Sequence, residues 1–125
     1  MNVLHIGINS IPNLAIARAF RERGHDVISI DWKDRKQTGS ALKSMTPDLL
    51  FVQLQGPDLV DGDLVRAMRD RGAFVVNWTG DVRHPLPQHY IDMAANVNVT
   101  AFTNMPDVEE MQALGFDARF LQVGY

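Results

Sequence analysis

The sequence predicts an α/β protein: a Rossmann-like, doubly wound parallel sheet of about six strands with helices on both faces. Two observations carry this, with one rule of chain geometry. Short apolar runs alternate with amphipathic helical stretches along all 125 residues. Several runs, such as "DLLFVQL" and "FVVNW", are continuously apolar, as strands covered on both faces are. Right-handed crossovers between parallel strands then favour the doubly wound order.

Each element has a local reason. The first strand is 3–8 ("VLHIGI"). A helix over 11–24 follows, with Ser10 as its cap, Pro12 in its first turn and Gly24 as its stop; Ile16, Ala17 and Phe20 form its inner stripe. The second strand is 26–31, and 36–45 is a helix weakened by Gly39. The third strand, 48–54, precedes a helix over 61–72 with Leu64, Val65 and Met68 inward and Gly72 as its stop. The fourth strand, 74–78, leads to a helix over 86–96 with Pro87 near its start. A fifth strand over 99–104 meets a helix over 105–115, capped by Asn104, stopped by Gly115 and acidic at its first turns. A sixth strand covers 118–123.

The length is that of one domain, residues 1–125, with no internal linker or repeat. A formal charge of −3 gives no whole-domain basic footprint, so nucleic acid is not indicated, although a local patch is not excluded. No cysteine is present, which removes disulfides and thiolate metal sites. "MNVLHIGINS" lacks the pattern of a signal peptide, and no apolar run approaches the ~20 residues of a membrane span. A cytoplasmic protein without a membrane span is expected.

Ligands of open parallel sheets bind outside the carboxyl ends of the strands. The strand tips therefore supply the candidates: Gly7, Asn9 and Ser10 after the first strand, Asp31 and Trp32 after the second, Gln53 and Gln55 after the third. Trp78, Thr79, Gly80, Asp81, Arg83 and His84 follow the fourth, and Thr103 and Asn104 the fifth. Gln53 inside an apolar strand is costly unless hydrogen-bonded, so it braces a loop or points into a polar cleft. Asn9 and Ser10 most simply cap the first helix, whose bare N-terminus could also receive an anion.

Familiar motifs are absent. "GINSIP" keeps one of the three glycines of G-x-G-x-x-G, although Asp31 stands where a ribose-binding acid would. There is no P-loop, no G-x-S-x-G elbow, and the four histidines lack metal-ligand spacing, so no metal site is expected. In "NWTGDVRHP", Gly80 permits a tight turn that would lift Asp81 clear of the sheet as a general base. Arg83 would orient it or clamp an anion, and His84 is an alternative base. The plain reading has Asp81 capping the turn, Arg83 pairing with it, His84 solvated and Trp78 packed.

The run from Asp48 to Tyr125, and above all "NWTGDVR", "FTN" and "LQVGY", resembles the N-terminal half of GT-B-fold glycosyltransferases. The likeness is nearest to bacterial and phage proteins related to the spore-maturation CgeB group. The resemblance implies a hexosyltransferase-type enzyme of two facing Rossmann-like halves, with the acceptor held by this half. Asp81 would then be the catalytic base, and Gly7, Asn9 and Ser10 would border acceptor or donor diphosphate. No cofactor is expected in this domain. The nucleotide-sugar donor belongs to a C-terminal partner domain beyond Tyr125, without which this piece should be inactive. Two alternatives stand beside this: a stand-alone, non-catalytic Rossmann-like binding or regulatory module using the same cleft, and a dinucleotide-binding oxidoreductase domain.

Overall fold

The computed structural model describes residues 1–7, 11–53, 60–80 and 85–121. Its elements run β1 (Asn2–Gly7), α1 (Ile11–Glu22), β2 (Asp26–Asp31), α2 (Arg35–Ser44), β3 (Leu49–Val52), α3 (Gly62–Asp70), β4 (Phe74–Thr79), α4 (Gln88–Ala94), β5 (Val99–Phe102), α5 (Met105–Ala113) and β6 (Ala118–Phe120). All eleven predicted elements are present, most of them shorter than predicted. The trimming has local causes. Asp34 caps α2, its side chain accepting from the Gln37 N–H at 3.0 Å, which moves that helix one residue earlier than expected. Asn104 cannot extend β5 because its side chain is used to start α5. Gly24, Gly72 and Gly115, the predicted helix stops, sit at φ of 86°, 108° and 91°, where an L side chain would be strained.

The six strands pair in parallel in the order β2-β1-β3-β4-β5-β6. This is the flavodoxin-type member of the doubly wound class with one further strand on its end. The chain moves one way from β1 to β2 and the other way in every later step. Right-handed crossovers then place α1 on one face of the sheet and α2 to α5 on the other.

The core follows that division. On the α1 face, Ile16 and Phe20 pack on Phe51, Val76, Trp78 and Ala101. On the other face, Ala41 and Leu42 of α2 and Val65 and Met68 of α3 cover Leu4, Ile6, Leu50, Val52 and Val75. Farther along that face, Tyr90 and Ala94 of α4 and Val108 and Met111 of α5 cover Phe102 and Ala118. Among the described residues, no helix is long and apolar enough to cross a membrane.

Candidate site at the carboxyl edge

The direction of winding reverses between β1 and β3, and a doubly wound sheet opens its binding crevice outside the strand ends at that reversal. Ile6 and Val52 are register partners there, so the next residues, Gly7 and Gln53, stand level at the edge. The Gln53 N–H donates to the Ile6 carbonyl at 2.9 Å, which carries the pairing one residue past β3.

Gln53 is 4% exposed and His5 only 1%. Strand alternation puts both side chains on the α1 face. His5 Nε2 lies 3.3 Å from Gln53 Oε1, and His5 Nδ1 lies 2.8 Å from the Ser29 hydroxyl on β2. A polar chain thus crosses three strands, Ser29 to His5 to Gln53, within an otherwise apolar layer. Gln53 was expected to need a partner, and His5 supplies it. The sequence reading missed His5 and Ser29. The available signal was a lone histidine inside "VLHIG", two residues before the strand tip.

Burial holds His5 below the ordinary histidine value of 6.5; the Gln53 hydrogen bond opposes the shift and the charge of Arg21 adds to it. The folded chain therefore binds fewer protons at this site than the unfolded chain does. The stability it contributes is present above pH 6.5 and lost as pH falls below that value. The denaturation midpoint should drop from pH 7 to pH 5, and His5→Asn should flatten that part of the curve. An unchanged slope in the variant would show that His5 is not the linked group.

At the tip of β4 the three described candidates are held firmly. Trp78 is 6% exposed in the α1-face core, and its indole Nε1–H donates to the Leu121 carbonyl at 3.0 Å. Thr79 points to the other face and shares a 3.2 Å hydrogen bond with the Tyr90 hydroxyl. Thr103, just after β5, donates to the Gly80 carbonyl at 3.1 Å and ties the two tips together.

Gly80 was expected for a turn needing glycine, but it is not among the glycines with positive φ. Its role is close packing: a Cβ there would stand 3.0 Å from the Trp78 ring. Gly80→Ala should cost about 1–3 kcal/mol by overpacking, read as a lower melting temperature with an unchanged far-UV spectrum. Asn104 is a helix cap. It accepts from the Asp107 N–H at 2.9 Å while its own amide donates to the Asp107 carboxylate at 2.8 Å.

Asn9, Ser10, Gln55, Asp81, Arg83 and His84 lie outside the described residues. The structure therefore brings together Gly7 and Gln53 at one point of the edge and Thr79, Gly80 and Thr103 at another. Among the described residues, no group of three or more His, Asp or Glu is placed to hold a metal ion. A groove of about 550 Å³ lies at the opposite end of the strands, lined by Asn2, Arg21, His25, Asp26, Ser44 and Thr46. The reversal of winding and the buried His5–Gln53 pair both converge on the carboxyl edge.

The fold and this edge define a flavodoxin-like α/β module with polar residues at its carboxyl edge. No protein-family model and no curated protein matches the sequence. Solved structures do. A two-component response regulator of the LuxR family from Aurantimonas sp. SI85-9A1 aligns with a TM-score of 0.59 at 15% identity, over 94% of this chain and 87% of its own. A response regulator receiver protein from Pseudomonas putida aligns with a TM-score of 0.56 at 16% identity, over 90% of this chain and 95% of its own. At such identities the likeness shows the fold.

These neighbours correct the glycosyltransferase expectation. The chain corresponds along nearly its whole length to regulator modules, not to half of a two-domain transferase. The motifs behind that resemblance were short polar runs after apolar strands, which any doubly wound sheet can carry. The hexosyltransferase activity, the acceptor substrate and the GT-B assignment fall with it. The donor site expected beyond Tyr125 rested on that resemblance alone.

Proposed function

We propose that the chain is a regulatory module, one domain over residues 1–125, that works in the cytoplasm by binding at the carboxyl edge of its sheet and signalling to a partner protein or domain. The observation that carries this is the buried His5–Gln53 pair ending at the β1/β3 reversal. The near-complete correspondence with response regulator structures supports it. The chemistry of the tip favours reversible binding: a carboxamide at position 53 is not a nucleophile, and Gly7 beside it carries no side chain.

A thermal-shift screen of small metabolite anions and nucleotide sugars tests the proposal. Compounds that raise the melting temperature should lose their effect in Gln53→Glu and keep it in Thr46→Ala, which alters the opposite groove. Nucleotide sugars should not be turned over. Stabilisation that survives Gln53→Glu, or measurable sugar transfer, would show the reading to be wrong.

A further inference from the structure

The relay across β2, β1 and β3 has a polarity, and that polarity selects the ligand. His5 faces a carbonyl oxygen through Nε2, since Gln53 Oε1 is the atom at 3.3 Å. A neutral imidazole carries one N–H, and a contact with a carbonyl oxygen requires it on Nε2. Nδ1 is then the acceptor, and the Ser29 hydroxyl at 2.8 Å donates to it. With Oε1 committed to His5, the other end of the Gln53 carboxamide is an NH2 group, and no described residue accepts from it.

We propose that Ser29 and His5 are positioning residues that hold the Gln53 NH2 toward the carboxyl edge, so that the edge takes an oxyanion, a carboxylate or a phosphate, as its ligand. The inference rests on the binding role proposed above and adds the chemical class. Gly7, level with Gln53, lets an oxygen approach the backbone closely. α1, twelve residues long with no acidic residue in its first turn, starts from the same edge and adds the positive end of its dipole.

The reversed array defines the competing case. If Gln53 donated to His5 Nε2, the imidazole proton would sit on Nδ1, Ser29 would accept, and the edge would present a carbonyl oxygen. Such an edge would prefer a cation or a donor ligand. Because the two arrays differ in the histidine tautomer, they can be told apart without any ligand.

The experiment uses the full chain labelled with ¹⁵N. Long-range ¹H–¹⁵N correlations read the His5 tautomer in the free protein. Titrations with inorganic phosphate, and separately with acetate, follow the Gln53 side-chain NH2 and the Gly7 amide. The expected result is the Nε2–H tautomer, with saturable movement of both signals by phosphate, acetate or both; the responding probe tells which oxyanion fits.

Ser29→Ala, a change at an exposed position that should leave the fold intact, should weaken that binding roughly two- to tenfold, the equivalent of one hydrogen bond. Gln53→Glu should weaken it at least about tenfold, since it sets like charge against the ligand. An Nδ1–H tautomer, or binding unaffected by both variants, overturns the proposal. If other compounds move the edge signals while phosphate and acetate do not, the oxyanion class is wrong and the binding role stands. If no compound moves an edge signal, the binding role itself is wrong.

Discussion

Trp78→Ala should lower the stability of the chain by about 3–5 kcal/mol, the cost of emptying a tryptophan-sized space in a packed core. The indole lies among Ile16, Phe51 and Ala101, where α1 meets the sheet, and donates to the Leu121 carbonyl. Among the described residues α1 is the one helix on that face of the sheet, so few described groups can collapse into the vacated space. For a domain of this size the loss corresponds to roughly 10–20 °C in melting temperature. Trp78→Phe, which keeps most of the ring volume, should recover most of it. Differential scanning calorimetry reads both. A drop of only a few degrees in Trp78→Ala would mean that α1 does not pack as described.

Tyr90→Ala should cost a similar 3–5 kcal/mol from the opposite face. Tyr90 is 1% exposed in the cluster with Phe102, Val108 and Met111, and its hydroxyl meets Thr79 at the tip of β4. Trp78 and Tyr90 thus grip the end of one strand from its two sides, and Thr103 holds the Gly80 carbonyl just beyond it. The prediction separates packing from polarity. Tyr90→Phe keeps the ring and removes only the hydroxyl, so its cost should be about 1–2 kcal/mol. Equal costs for the two variants, measured by urea denaturation, would assign the whole effect to the hydroxyl and contradict the packing account.

The alternation of apolar runs with helical stretches was legible because each element carries its own period and its own caps. Asn104, Gly72 and Gly115 act locally, and local chemistry is visible in a string of residues. The strand order was not legible. A sequence shows that β1, β2 and β3 follow one another, but not that β1 lies between the other two. For the same reason the sequence predicted helices on both faces without showing that α1 lies on one and α2 to α5 on the other.

The site was half visible. Gln53 stood out as a buried amide in need of a partner, yet the partner, His5, is 48 residues away in the chain. His5 looked like one histidine among four until the β1–β3 register placed it beside Gln53. The enzyme reading failed for a different reason. Polar residues after an apolar strand mark the edge of any doubly wound sheet, and they do not by themselves say what chemistry occurs there.

An amide-shift map of the ¹⁵N-labelled chain, taken with a compound from the thermal-shift screen at saturation, decides where the molecule binds. The predicted result is a set of perturbed signals centred on Gly7 and Gln53 and reaching Gly80 and Thr103 at the carboxyl edge. Perturbations gathered instead on Asn2, Val27, Ser44 and Thr46, around the groove at the amino-terminal end of the strands, would contradict it.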